Sequence, residues 1–421
     1  MPRPWGHARS IRRARRADRA PRQSRRRCAA LLAVAILAAL TPLSVTASPA
    51  GATTAAAEDL RFTPAAFTST GQFGAASLDA HGTAVADLDG DGHLDVALIA
   101  PWMGLSAVVM YGTGTGRFDE VRTHRVGAVN NNVVAAEVTG DDRVDLIVTT
   151  AGSVLVLRNE GSRHFVLTHR YLLWQNPFQG SSIAGDFDSD GDTDLAVKAV
   201  NGIRMLVGDG RGEFTVGPLT TIPGAAPGEI AMIDRADLDG DGIADLVAGL
   251  AVTQRVVALR GTGEGAFTVA STARVPFLPT TVKAADLDGN GTDDLVVLPE
   301  AAPSRRSAAV LLTDGAGRLG EPVYYSGGFA NPNGTLADFD GDGRMDVASV
   351  NTFTGDVVFL AGNGDGTLRP AGRSATEVNA QTPVAGDFTE DGRIDLAVPS
   401  ACPGLFGSAR VCLAMLVNDG A

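Results

Sequence analysis

The sequence predicts an all-β fold: a seven-bladed β-propeller of four-stranded antiparallel blades. A nine-residue acidic motif occurs seven times, beginning at residues 87, 137, 186, 237, 286, 338 and 387. Successive starts lie 50, 49, 51, 49, 52 and 49 residues apart, a regularity that unrelated metal loops would not show. Each interval holds four short apolar segments separated by turn residues. Four antiparallel strands in a repeat of about 40 to 50 residues form one propeller blade, and seven blades can close a ring.

The first unit shows how the four strands are recognised. The run Ala84-Val85-Ala86 leads into the acidic loop, and an apolar run over residues 94–99 leaves it. A third apolar run, residues 108–111, ends in the Gly-rich turn GTGTGRF. The fourth strand is predicted to open at the Phe or Leu that closes this turn, because glycines mark turns and apolar residues resume after them.

The last unit lacks a fourth strand of its own. Residues 417–421 end the chain where other units have the turn that precedes this strand. Leu60-Arg61-Phe62, followed by polar residues up to the first acidic loop, has the composition of a fourth strand without a partner. We therefore expect the N-terminal strand to complete the last blade and to close the ring by main-chain hydrogen bonds.

The acidic motif reads acid-x-acid-x-acid-Gly-x-x-Asp. Side-chain oxygens at positions 1, 3, 5 and 9, with the backbone carbonyl at position 7, can surround a calcium ion, and Gly at position 6 permits the sharp turn. An EF-hand begins similarly but needs Glu at position 12 between two helices. The seven loops carry there, in order, Leu98, Val148, Val197, Ala248, Val297, Ser349 and Val398, and their flanks read as strands.

The predicted calcium ligands fall into seven sets, one for each loop. They are Asp87, Asp89, Asp91, His93 and Asp95 in the first; Glu137, Asp141 and Asp145 in the second; Asp186, Asp188, Asp190, Asp192 and Asp194 in the third; Asp237, Asp239, Asp241, Ile243 and Asp245 in the fourth; Asp286, Asp288, Asn290, Thr292 and Asp294 in the fifth; Asp338, Asp340, Asp342, Arg344 and Asp346 in the sixth; and Asp387, Thr389, Asp391, Arg393 and Asp395 in the seventh.

The loops differ in quality, and we expect about six structural calcium sites. Asn290 replaces one carboxylate in the fifth loop, and Thr389 is a weaker ligand at position 3 of the seventh. The second loop has Thr139 at position 3 and Asp142 where Gly is wanted, so its site is predicted to be weak or empty. Acidic turns that merely solvate hairpins are a fair alternative for one loop, but not for seven in register.

The N-terminal residues differ from the rest of the chain in charge and composition. Eleven arginines in residues 1–27 precede an apolar run over residues 28–40, then Thr41-Pro42 and small residues. This order is typical of a secretory signal peptide, and the apolar run is shorter than the roughly 20 residues that span a bilayer. We assign residues 1–47 to the signal, with cleavage as late as residue 50, residues 48–59 to a short flexible linker, and residues 60–421 to the propeller.

Removal of residues 1–47 leaves 24 basic and 47 acidic residues, a net charge of −23. Such a chain is expected to avoid nucleic acid and membrane surfaces, because both need a basic patch, and to attract cations. Cys402 and Cys412 remain after cleavage and are predicted to form a local disulfide, with two free thiols as the alternative.

The acidic loops and the turns GDGRGEF and GNGDGTL resemble those of the FG-GAP/VCBS repeat family, the propeller type also found in integrin α-subunit heads. The resemblance covers residues 60–421. It implies extracellular location, calcium in the loop between the first two strands of a blade, and roles in adhesion, carbohydrate recognition or support of enzymes. It also places ligands on the face opposite the calcium loops, where Trp102, Trp174 and Phe178 are expected; packing between blades is the alternative for these aromatics.

These observations favour a secreted binding or adhesion module for an extracellular carbohydrate or protein ligand, and we expect a monomer. The sequence has no Gly-x-Ser-x-Gly, His-Glu-x-x-His or phosphate-loop motif. Two alternatives remain: a polysaccharide-cleaving lyase or hydrolase whose charged residues converge near the channel, and a scaffold without a small ligand. The two lysines, Lys198 and Lys283, are interpreted as surface charges.

Overall fold

The computed structural model describes residues 60–74, 82–100, 106–126, 130–150, 152–173, 181–299, 308–326, 332–351, 354–376, 380–403 and 409–420. These residues belong to one compact unit, Ala56–Ala421. They form 28 β-strands in seven four-stranded antiparallel sheets, and the described ranges contain no helix and therefore none that could span a membrane. The prediction of an all-β, seven-bladed propeller is confirmed.

Six blades are built from consecutive strands in the order in which they occur along the chain. Blades 1 to 3 are β2 (Thr83–Ala86), β3 (Asp95–Ala100), β4 (Ser106–Gly112) and β5 (Phe118–Arg125); β6 (Asn130–Ala136), β7 (Asp145–Thr150), β8 (Ser153–Asn159) and β9 (Phe165–Leu172); and β10 (Ser182–Gly185), β11 (Asp194–Lys198), β12 (Gly202–Gly208) and β13 (Phe214–Thr221). Blades 4 to 6 are β14 (Ile230–Ala236), β15 (Asp245–Leu250), β16 (Arg255–Gly261) and β17 (Phe267–Arg274); β18 (Pro279–Ala285), β19 (Asp294–Pro299), β20 (Ala308–Leu311) and β21 (Val323–Tyr325); and β22 (Pro332–Ala337), β23 (Asp346–Asn351), β24 (Asp356–Gly362) and β25 (Leu368–Ala375).

Blade 7 joins the two ends of the described chain. It consists of β26 (Val384–Gly386), β27 (Asp395–Pro403) and β28 (Ala409–Asn418), with β1 (Phe62–Gly74) as its outermost strand. Strand β1 pairs with β28 in antiparallel register, from Phe62 opposite Asn418 to Gly74 opposite Ala409. The predicted closure by the N-terminal strand is therefore confirmed, although the strand begins at Phe62, the last of the three residues that indicated it, and continues to Gly74.

The hydrophobic core lies between the blades. Seven clusters of buried apolar side chains occur, and each draws its members from two adjacent blades. The second and third strands of a blade are packed on both faces, which explains why β7 and β15 are buried along their whole length and read as nearly continuous apolar runs. Outer strands such as β13 consist mostly of exposed and partly buried residues, because one face meets solvent.

The fourth strand opens at the predicted Phe or Leu in blades 1, 2, 3, 4 and 6. Blade 5 departs from the prediction. Its turn closes at Leu319, which forms only an isolated bridge with Thr313, and the strand itself starts later at Val323. Gly320 and Pro322 lie between these positions, and the proline removes an amide that a continuous ladder would use.

Candidate metal centres in the acidic loops

Each acidic loop is the connection between the first and second strands of its blade. In blade 1 the loop starts at Asp87, immediately after β2, and its ninth residue, Asp95, is the first residue of β3. The same relation holds in the other six blades. Because the blades share one strand order, the seven loops occupy equivalent places around the ring.

The carboxylate at position 1 organises the loop through the chain's own amides. One oxygen of Asp87 accepts the amide hydrogen of Gly90 at 2.7 Å, and the other accepts that of Gly92 at 3.0 Å. Gly92 has a φ of 92°, in the left-handed region that favours glycine. The turn is thus already formed by hydrogen bonds within the loop.

The aspartate at position 9 is fully buried in all seven loops. In blade 4, Asp245 accepts the amide of Leu238 at 2.9 Å and that of Gly261 at 2.6 Å, so it ties the start of the loop to the end of the third strand. Burial raises the pKa of Asp245 to about 6, although the two amides act in the opposite direction. In blade 1 burial raises the pKa of Asp95 to about 7. A nearby cation would favour the charged forms.

Five loops bring three carboxylates together, from positions 1, 3 and 9. In each set one oxygen per residue lies within 4.8 Å of the other two. Position 5 stands outside these groups and instead accepts the amide of position 7, as Asp91 does from His93 at 2.9 Å. The five clusters are Asp87, Asp89 and Asp95; Asp186, Asp188 and Asp194; Asp237, Asp239 and Asp245; Asp286, Asp288 and Asp294; and Asp338, Asp340 and Asp346.

Sequence models of two related families match the chain across all seven acidic loops. The FG-GAP-like repeat matches residues 137–197, 237–297 and 304–398, and the FG-GAP repeat matches residues 80–117. The chain belongs to the FG-GAP repeat family. No curated protein matches its sequence.

Solved structures similar to this FG-GAP propeller share its fold at low sequence identity. One is an Agrocybe aegerita lectin described as recognising non-reducing terminal N-acetylglucosamine, with a TM-score of 0.50 and 19% identity over 80% of this chain and 94% of that one. A second is BBS1N in complex with ARL6DN, with a TM-score of 0.58 and 11% identity over 86% and 99%. A third is a Lactobacillus plantarum protein, with a TM-score of 0.51 and 14% identity over 71% and 86%.

The two FG-GAP loops outside these clusters lack a carboxylate at position 3. In blade 7 the hydroxyl of Thr389 donates to Asp395 at 3.0 Å, so the hydroxyl fills the place of a third acid. In blade 2 the position is Thr139, and one oxygen of Glu137 accepts three successive amides. Asp142 adopts a φ of 65° at position 6, so the second loop keeps the backbone turn without glycine. The second loop lacks the cluster of three carboxylates that five other loops have.

Each FG-GAP loop is also tied to the next blade around the ring. The carbonyl at position 2 accepts one hydrogen bond from the end of the third strand of that neighbour or from the turn that follows it. In five joints the donor is a glycine amide, with donor–acceptor distances from 2.6 to 3.2 Å. In the other two, the side-chain amides of Asn159 and Asn418 donate to Leu88 and Phe339, each at 2.7 Å. Loop geometry and blade packing are therefore coupled at every joint.

The structure adds contacts for three residues named in the sequence analysis. The imidazole of His93 pairs with Glu390 in the loop of blade 7, and this hydrogen bond raises the pKa of His93. Lys198 is buried rather than on the surface, and burial lowers its pKa to about 8. Lys283 is partly buried and lies 3.5 Å from Asp234 on the neighbouring inner strand.

The remaining predicted residues are only partly described. Cys412 is buried and disulfide-bonded, while the side chain of Cys402 lies outside the described residues, so their pairing stays a prediction. Trp102, Trp174 and Phe178 also lie outside them.

Proposed function

We propose that this FG-GAP propeller is a secreted binding module, stabilised by calcium, whose ligand is an extracellular carbohydrate or protein. One observation supports the metal proposal: five preformed loops each gather three carboxylates whose oxygens lie within 4.8 Å of one another. The donor atoms are oxygens only, which suits a hard divalent cation. Positions 1, 3 and 9 would hold the ion, which neutralises their mutual repulsion when bound.

Calcium is expected to supply a large share of the stability. At a free concentration ten times Kd, one site stabilises the native state by about 1.4 kcal/mol, and five sites by about 7 kcal/mol. With an unfolding entropy of about 2.1 cal/mol/K per residue, this corresponds to a fall in Tm of roughly 9 °C when the ion is removed. Many complete domains are stabilised by only about 5 to 15 kcal/mol.

Calorimetric titration and thermal unfolding with and without EGTA test the metal proposal. We expect about five calcium ions per chain, one fewer than the sequence predicts because the loop of blade 7 also lacks a third carboxylate. We also expect a lower Tm in EGTA, with weaker effects of Mg²⁺ because it demands a smaller octahedral shell. Asp188→Asn should remove one site. Asp141→Asn, in the loop of blade 2, which has no such cluster, is the control and should change neither the number of ions nor the response to EGTA. An unchanged Tm in EGTA with no bound calcium would overturn the proposal.

The ligand class rests on the similarity of fold to a lectin and on the family, and it needs its own test. Glycan-array binding in calcium, with N-acetylglucosamine-terminated glycans among the probes, would support a carbohydrate ligand. Trp102→Ala and Trp174→Ala should then weaken binding without lowering Tm. Capture of one defined extracellular protein would support a protein ligand instead, and release of reducing ends from polysaccharide would show an enzyme. Secretion predicts an exported product whose first residue lies between 48 and 51.

A further inference from the structure

One turn of the propeller breaks the glycine pattern. In the turns between the third and fourth strands of blades 1, 3, 4, 5 and 6, the fifth residue is glycine with φ between 68° and 86°. Blade 2 carries Arg163 at this position, with a φ of 62°. Few non-glycine residues occupy the left-handed region, and such strain persists where surrounding contacts hold it.

The contacts that hold Arg163 belong to blade 1. Its Nε lies 2.6 Å from Oδ2 of Asp89, the position 3 carboxylate of the first acidic loop. Further ion pairs reach Asp119 at 2.9 Å and Glu120 at 3.1 Å, and the guanidinium carbon lies 4.5 Å from the ring centre of Tyr111. The side chains of Arg163 and Asp89 are only 20% and 6% exposed, so this pair is poorly screened by solvent.

In two other clusters an arginine also pairs with the position 3 carboxylate, and in the remaining two no arginine does so within the described ranges. Arg260 pairs with Asp239 in blade 4, and Arg369 lies 3.3 Å from Asp340 in blade 6. Within the described ranges, no ion pair reaches Asp188 in blade 3 or Asp288 in blade 5. The five acidic clusters thus fall into three with a built-in counter-charge and two without one.

We propose that Arg163 is an internal counter-ion that competes with the divalent cation for Asp89, and that arginines paired with the position 3 carboxylate divide the five sites into two affinity classes. This inference rests on the proposed calcium binding and deepens it. A cation that enters the first loop meets a fixed positive charge and an Asp89 oxygen that is already engaged. The clusters in blades 3 and 5 have the same three carboxylates without an arginine paired at position 3 in the described part of the chain, so they are the sites with higher affinity for the cation.

The test is a calcium titration of Arg163→Gly, with the glycine that other blades use at this turn. Arg211→Gly is the matched control, because Arg211 lies exposed in the equivalent turn of blade 3 and forms no ion pair within the described ranges. Removing one adjacent positive charge should tighten one site by about tenfold. Arg163→Gly in an Asp89→Asn background should lose this gain, because the arginine then has no position 3 carboxylate to compete for.

Thermal unfolding distinguishes two roles of Arg163: a counter-ion that competes with calcium, and a residue that only stabilises the fold. As a counter-ion, Arg163 stabilises the ion-free loop, so Arg163→Gly should lower Tm in EGTA and leave it unchanged or higher in saturating calcium. If Arg163→Gly lowers Tm equally in EGTA and in calcium, and its calcium-binding isotherm equals that of Arg211→Gly, this inference is wrong while the proposed calcium binding stands. If the wild-type chain binds no calcium, the proposed function itself fails.

Discussion

One aromatic side chain, Phe62, packs across the joint where the ring closes, and its removal tests how much side-chain packing adds to the β1–β28 pairing. Phe62, 8% exposed, stacks on Phe359 of blade 6 with ring centres 4.3 Å apart and meets Phe339 edge-on at 5.9 Å. Its own strand, however, belongs to blade 7. Phe62 therefore packs across the joint that holds the first and last described segments together.

Phe62→Ala should reduce the free energy of unfolding by about 3 to 5 kcal/mol, the usual cost of a buried Phe-to-Ala change. Loss of the stacked pair accounts for about 0.5 to 1.5 kcal/mol beyond the buried area. Phe62→Leu, which keeps most of the volume, should cost less than about 1.5 kcal/mol. Urea unfolding at fixed saturating calcium measures these losses.

Phe267→Ala is the matched control, because Phe267 is 6% exposed and packs edge-on against Phe187 at 5.6 Å in a joint away from the closure. Both variants should lose similar stability. Only Phe62→Ala should open residues 62–74 to limited proteolysis under native conditions, since β1 is an edge strand that β28 alone pairs. A Phe62→Ala midpoint equal to wild type, or identical cleavage of the two variants, would refute this view of the closure.

Three further outcomes are expected. Thr389→Asp should add one calcium ion in a titration, because it restores the position 3 carboxylate; an unchanged stoichiometry would contradict the cluster rule. Asn159→Ala should cost about 1 to 3 kcal/mol in urea unfolding, because the Leu88 carbonyl loses its donor while buried; wild-type stability would show that this joint is dispensable. Burial lowers the pKa of Lys198, so the unfolded chain binds more protons between about pH 8 and 10.5 and stability should rise by up to about 3 kcal/mol over that range. Lys198→Met should flatten this rise and Lys283→Met should not.

The periodic features of the molecule follow from the sequence, because each blade repeats the same local chemistry. The spacing of the acidic loops gives the number of blades, and the short apolar segment that ends in Phe62 indicates the closing strand. Asp95 and its six counterparts were expected only as ligands. Their second role, as buried acceptors that join loop and third strand, depends on which amides the folded hairpin presents to them.

Contacts between blades were not predictable from a single repeat. The contact of Arg163 with Asp89 joins residues 74 positions apart, and that of His93 with Glu390 joins residues 297 apart. The sequence indicated the contact of Arg163 with Asp89 only by placing an arginine at a turn position where other blades have glycine. Lys198 ends a buried strand, and its burial depends on how blade 4 covers that end, since its ammonium lies 3.4 Å from the carbonyl of Ala231.

The hydrogen bonds that join each acidic loop to the next blade have a consequence for the connectivity of the chain. The loop of each blade accepts a hydrogen bond from the following blade in all seven places, and the strands of one blade are not consecutive along the chain only in blade 7, where β1 follows β28 in the sheet. The amide of Asp419 donates to the carbonyl of Arg61 at 3.0 Å, so a short hairpin could link these segments covalently. A circular permutant that links Asp419 to Arg61 and is opened between two other blades would keep all seven hydrogen bonds between blades. Its new chain ends, where local unfolding starts, would lie at the chosen opening.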